Sequence, residues 1–121
     1  MAIQPDTYDI TIYTGADRVW NFQITDDSGA ALPLPGWTVK GQIRAKWGLG
    51  EVLVAEFDVD CSGIGTDGTF ILSLSRVTTR NITVKKGYYD IFLTGPDGKA
   101  RPYIRGEVTI EQSVTDVDAV I

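Results

Sequence analysis

Histidine, cysteine and clustered carboxylates carry much of protein chemistry at neutral pH, and this chain is poor in all of them. It has no histidine, which removes the commonest general base, the commonest zinc ligand and any serine–histidine–aspartate arrangement. The single cysteine, Cys61, cannot form an intramolecular disulfide or a thiolate zinc site. Standing just before Ser62-Gly63, it reads as an unreactive, partly buried thiol. Carboxylates remain. Asp58 and Asp60, two apart on a predicted strand, face one side, as do Asp116 and Asp118 if that segment is extended. Paired acids serve glycoside hydrolysis or calcium binding. Neither pair has the ligand density of a calcium loop, and solvated edge charges that discourage strand aggregation account for both. The glycine-rich stretch 63–68 leads into a strand and has no lysine placed for phosphate, so it reads as a hairpin loop. No catalytic, cofactor or metal residue is expected, and the chain does not read as an enzyme.

The tryptophans point to binding or packing instead. Trp20 and Trp37 fall on apolar strand faces and read as core. Trp47, between Lys46 and Gly48-Leu49-Gly50, has nothing local to bury it. Three readings stay open for it: an anchor in a protein interface, ordinary satellite packing, or a plate on which a sugar ring stacks.

The elements that must position these residues follow from period-2 alternation. Residues 8–13 alternate around Ile10 and Ile12, and a second strand places Trp20, Phe22 and Ile24 on one face. Asp26-Asp27-Ser28-Gly29 is a turn, and the prolines of Leu32-Pro33-Leu34-Pro35 make a crossing loop. Strands follow over 37–46 and 51–60, then one carrying Phe70, Leu72 and Leu74. Residues 76–84 break the alternation and are predicted to hold one short helical turn near 77–82, capped by a hydroxyl. A hairpin closes the pattern, with Gly87 to Thr94 and Arg105 to Ile110 flanking a Pro96-Asp97-Gly98 turn. The fold class is therefore all-β, an immunoglobulin-like antiparallel β-sandwich of about seven strands. Residues 1–7 read as an N-terminal arm, 8–112 as the sandwich domain and 113–121 as a C-terminal tail. In such a sandwich Tyr89 is the candidate for a tyrosine corner bonding back to nearby backbone, and Trp37 for the core tryptophan, packed on Phe22 or Ile24.

Composition narrows the partners. The 121 residues suffice for one domain with its own core, and 43% hydrophobic against 22% charged residues is ordinary for a globular chain. A net charge of -5 argues against nucleic acid. The local basic group Arg76, Arg80, Lys85 and Lys86 reads as solvated loop and helix-end charge. No basic start followed by an apolar stretch, and no apolar run near membrane-spanning length, is seen, so synthesis and folding in a cytoplasm, away from membranes, are expected.

The order of elements resembles that of small structural proteins of tailed-bacteriophage virions. In that family an alternating strand, a glycine turn, an apolar strand and an acidic-glycine turn lead to a Gly-aromatic-Thr-Val segment ending in Ile-Arg. Here that segment is Gly36-Trp37-Thr38-Val39-Lys40-Gly41-Gln42-Ile43-Arg44. The pattern continues through Gly68-Thr69-Phe70-Ile71-Leu72-Ser73-Leu74, the Thr78-Thr79 turn and Gly87-Tyr88-Tyr89-Asp90-Ile91. It closes with Asp97-Gly98, the 106–110 strand and Val114-Thr115. The similarity spans roughly residues 8–115, and Leu32-Pro33-Leu34-Pro35-Gly36 departs from the family's usual Asp-Leu-Thr-Gly. The resemblance implies a virion location and a tail, baseplate or fibre-attachment subunit that packs against other virion proteins, in a closed homo-oligomer. A capsid decoration protein is the neighbouring alternative. A carbohydrate-binding module using Trp47, Tyr88 and Phe92 is the alternative from another class. Under the leading reading the contact surface is Leu32, Leu34, Trp47, Leu49, Val114 and Val117; neither a cofactor nor a small-molecule ligand is expected.

Overall fold

The computed structural model describes residues 6–119. It is an all-β, immunoglobulin-like sandwich in which two sheets enclose one apolar core. In chain order the strands are β1 (Asp6–Thr7), β2 (Ile10–Tyr13), β3 (Arg18–Gln23), β4 (Thr38–Arg44), β5 (Leu53–Glu56) and β6 (Asp58–Asp60). Then come α1 (Ile64–Asp67), β7 (Thr69–Leu74), α2 (Arg76–Arg80), β8 (Lys86–Thr94) and β9 (Ala100–Glu111). The larger sheet runs β1-β9-β8-β4-β5, with β2 also on β9, and the smaller runs β3-β7-β6.

The described residues form nine strands where about seven were expected, and the sandwich is not wholly antiparallel. β1 and β2 pair with β9 in parallel, Asp6 opposite Ile104 and Ile10 opposite Val108. Asp6 and Thr7 thus belong to the sheet rather than to an arm, while residues 1–5 lie outside the described residues. Between β1 and β2 the ladder breaks after the Tyr8 N–H, which still donates to the Arg105 carbonyl at 2.9 Å. The Glu107 N–H then donates to the Asp9 carboxylate at 2.9 Å, and the Tyr8 carbonyl is left to another side chain. Tyr89 stands opposite Gly106 of β9, and its hydroxyl donates to the carbonyl of Tyr8 one strand further on. The phenol reaches that carbonyl only because residue 106 has no side chain: a Cβ there would meet the Tyr8 carbonyl and, at 3.0 Å, the Tyr89 ring itself. Tyr89 is buried as expected, but it ties the sheet to the N-terminal strands rather than to nearby upstream backbone. Burial pushes its phenol well above the ordinary tyrosine range.

The predicted 51–60 strand is two strands in different sheets. Phe57 is the crossing point: it is buried, and its N–H donates to the Gly41 carbonyl at 3.0 Å. Gly41 makes room for it, since a Cβ at that position would lie 2.9 Å from the Phe57 ring. The ring packs edge-on to Trp20 and Tyr89, at centroid distances of 5.5 and 5.9 Å. Trp20 is therefore the core tryptophan of this sandwich, although its indole N–H has no acceptor among the described residues. Trp37 is not: it lies just before β4, half-buried, with the Arg101 guanidinium 5.0 Å above its ring. It packs on the margin of the core where the sheet is ending, beside Gly95 and Arg101 of the β8–β9 hairpin.

Two helical turns connect strands. The expected one is α2, whose N-cap hydroxyl is Ser75, accepting from the Thr78 N–H. Thr79 on its inner side is fully buried, accepting from the Gly15 N–H at 3.1 Å and donating to the Ala16 carbonyl at 2.9 Å. The other, α1, stands in the glycine-rich stretch read as a plain hairpin loop, and ends at Gly68 in the left-handed conformation. Beyond β9 the tail is held by charge: Asp118 pairs with Arg76 at 3.0 Å and with Arg80.

Tyr89→Phe should cost about 1 kcal/mol through the carbonyl it leaves unpaired, and Gly106→Ala about 3 kcal/mol through backbone displacement. Urea denaturation measures both, and a Gly106→Ala protein as stable as the parent would show that β1 and β2 do not depend on this approach.

Candidate binding face on the larger sheet

Alternation along β4 and β8 gives the larger sheet two different faces. Val39, Ile43, Tyr89, Ile91 and Leu93 point into the core. Gln42, Arg44, Tyr88, Asp90 and Phe92 form the opposite face, with Arg44 paired to Tyr88 and Gln42 to Asp90 across strands. β9 adds Arg105 beside Asp90 and Glu107 beside Tyr88.

The connection between β4 and β5 folds back over this face. Trp47 rests against Tyr88, ring centroids 4.8 Å apart, and the Arg105 guanidinium lies 4.2 Å from the Trp47 ring. Arg44 braces the connection from below, donating to the Glu51 carbonyl at 2.7 Å and to Gln42 Oε1 at 3.0 Å. Gln42 passes the chain of bonds on, its Nε2 donating to Glu56 at 2.6 Å. Beneath the tryptophan is an open cavity of about 310 Å³ lined by Gln42, Arg44, Trp47, Tyr88, Asp90 and Phe92. Burial raises the Asp90 carboxyl above the ordinary range, against the partial pull of Arg105 and Arg44 in the other direction.

The outer lip of the connection is apolar and wet. Leu49 is 90% exposed, Val52 70%, Leu53 48% and Trp47 45%. Gly48, at φ +134°, turns the chain there, and the Glu51 N–H closes the turn on the Gly48 carbonyl at 3.2 Å. The arrangement is a braced polar shelf with a cation–aromatic stack on top and an apolar rim.

The other expected contact residues are not part of it. Leu34 is a correction: at 7% exposure it packs in the core, its N–H donating to the Ile64 carbonyl at 2.8 Å. Leu32 is half-buried against the same core. The two prolines keep this loop out of the sheets, but its leucines turn inward to cover the core beside α1. Val114 and Val117 are exposed, on the tail pinned to α2. Asp58 and Asp60 share the solvent side of β6, an edge strand, and Cys61 is a half-buried free thiol. Among the described residues no three metal-ligating side chains come together, and no helix is long and apolar enough to cross a membrane. Val52, Leu53, Asp90 and Arg105 are members of the surface that sequence reading missed. The outward positions of β4 and β8 were legible from alternation, but the return of the connection over them was not.

No family model and no curated protein matches this chain. Among solved structures, an arginine-to-glutamate mutant of the SrpA adhesin from Streptococcus sanguinis is similar to it, with a TM-score of 0.51 and 15% identity. The match covers 86% of this chain and 55% of that one, so this chain spans just over half of that structure's length. At such identity the likeness concerns the β-sandwich fold alone.

A carboxyl whose folded-state pKa is raised contributes less to stability as pH climbs through that pKa. Asp90→Asn, neutral throughout, should therefore gain in melting temperature relative to the parent between about pH 4 and pH 7. A difference that stays flat or falls over that window would place Asp90 in a solvated or strongly ion-paired environment.

Proposed function

We propose that this protein is a non-enzymatic structural subunit of a tailed-bacteriophage virion, of the tail, baseplate or fibre-attachment kind, acting through protein–protein contacts at the Trp47 face. The observation that carries the contact is the lip itself. Leu49 and Val52 stand exposed in the connection and Leu53 at the start of β5, next to the Trp47–Arg105 stack. Aromatic and arginine anchors beside an apolar centre are what concentrates binding energy in protein interfaces. The bond from Arg44 to the Glu51 carbonyl, that from the Ala45 N–H to the Val52 carbonyl and the seat of Trp47 on Tyr88 anchor the loop, so a partner would meet a partly ordered surface and the ordering cost of binding falls. The virion assignment rests on the resemblance of residues 8–115 to that family, and capsid decoration uses the same kind of contact.

A second reading has its own support. Trp47 and Tyr88 with Gln42, Arg44 and Asp90 around a cavity of about 310 Å³ offer aromatic surface and hydrogen-bonding groups of the kind that hold a sugar. The weight lies with the protein partner, because Arg105 and Tyr88 already occupy much of the Trp47 ring surface that a sugar would stack on.

Mass spectrometry of purified phage particles from cells carrying the gene should find the chain in structural stoichiometry. Leu49→Asp combined with Val52→Asp should lower its incorporation at least about tenfold without unfolding it. Absence from particles overturns the reading, and a saturable change in tryptophan fluorescence with a glycan panel would favour the sugar-binding alternative.

A further inference from the structure

Among the described residues, the smaller sheet ends in a strand with one open side. In the order β3-β7-β6, β3 pairs on one side only. The immunoglobulin arrangement places the first strand beside the second in this sheet, whereas here residues of β1 and β2 pair with β9 of the other sheet. The phase of the ladder shows which backbone groups are left over. The Ile24 N–H donates to the Gly68 carbonyl at 2.9 Å, and Phe22 and Trp20 stand opposite Phe70 and Leu72. Hydrogen-bonded pairs alternate in an antiparallel ladder. The N–H and C=O groups of Val19, Asn21 and Gln23 are therefore directed away from β7.

This edge has little of the usual protection beyond Arg18, which lies over the Trp20 ring and donates to the Thr11 carbonyl at 3.4 Å. The strand Arg18-Val19-Trp20-Asn21-Phe22-Gln23 has one charge and no proline, and its register with β7 is unbroken. A groove of about 760 Å³ runs beside it, walled by Tyr8, Trp20, Phe22 and Ile104, and separates it from β1. The strand is also close to a palindrome about Asn21, with an aromatic residue on either side and a non-charged residue beyond each.

We propose that β3 is a self-association edge, on which β3 of a second copy of this chain pairs antiparallel about a two-fold axis at Asn21. The two three-stranded sheets then join into one of six. Asn21 faces Asn21 and Val19 faces Gln23, each such pair exchanging two backbone hydrogen bonds through the groups left free in the single chain. On the inner face Trp20 of one copy stands opposite Phe22 of the other, the aromatic cross-strand pairing that stabilises sheets. The one charge of the strand, Arg18, falls opposite Ile24, so no like charges meet even though the whole chain carries -5. A two-fold contact of this kind is isologous and closes on itself. It is independent of the Trp47 face.

Light scattering behind size exclusion, over micromolar to millimolar protein, tests this. The parent should form a discrete dimer. Asn21→Pro removes an outward N–H without touching the ladder to β7, and Val19→Lys sets a cation on an already exposed position. Each should weaken the dimer at least about tenfold while Leu49→Asp leaves it intact. In the dimer the amides of Val19, Asn21 and Gln23 should exchange at least about tenfold more slowly than in dilute protein. Four results would each overturn the proposal: a monomer at every concentration, a dimer that survives both β3 variants, a dimer broken only by Leu49→Asp, or protection of these amides already in the monomer, which would mean that other residues of the same chain cover the edge.

Discussion

The hydroxyl of Tyr89 is the fastener of this sandwich. β1 and β2 are short and parallel to β9, and together they add only six residues to the ladder. Such a pairing is weak alone, since short parallel strands are joined by few bonds and close a large loop. The phenol crosses beneath β9 and binds the Tyr8 carbonyl at the point where the ladder breaks. Gly106 is what permits the crossing, because any side chain there would occupy the path. A buried hydroxyl needs an acceptor, and the Tyr8 carbonyl supplies it.

A second close approach governs the opposite side of the molecule. Phe57 enters the core against Gly41, and its backbone bonds there, so the chain leaves the larger sheet at β5 and joins the smaller at β6. The aromatic series Trp20, Phe57 and Tyr89 connects the crossing to the Tyr89 fastener through edge-to-face contacts. The inner face of β4 and β8 is thus committed to packing along its length. The outer face is left to Gln42, Arg44, Tyr88, Asp90 and Phe92, held at fixed spacing by the ladder beneath them.

Function, on the reading proposed above, belongs to that outer face and to an edge. The Trp47 connection supplies an apolar lip braced by Arg44, while β3 supplies an edge that no other described strand pairs with. The first has the chemistry of a docking patch and the second that of a strand awaiting its neighbour. A module with two such surfaces at different places can join a copy of itself and another protein at once.

Most strand positions, the α2 turn, the core role of Trp20 and the exposure of Trp47 and Leu49 were legible in the chain, because alternation and turn residues act over a few positions. The sequence also sufficed to place Asp58 and Asp60 on one solvent side of a strand. It could not tell that residues 8–13 run parallel to β9, since alternation is the same for either direction of pairing. Nor could it show the break at Phe57, because 51–60 holds no glycine or proline to mark one and the switch of sheets depends on space left by Gly41, far away in the chain. Trp37 and Leu34 were misplaced for related reasons: one lies where its sheet is ending and the other in a loop whose prolines say nothing about where its leucines turn. The binding face followed the same rule. Its outward residues are written in β4 and β8, but only when three strands and a returning loop assemble is Asp90 buried enough to raise its pKa against the pull of Arg44 and Arg105, and only then does Trp47 meet Tyr88 and Arg105. Local pattern determined what each strand is; long-range packing, which alone sets distances between residues far apart in the chain, decided which surfaces exist.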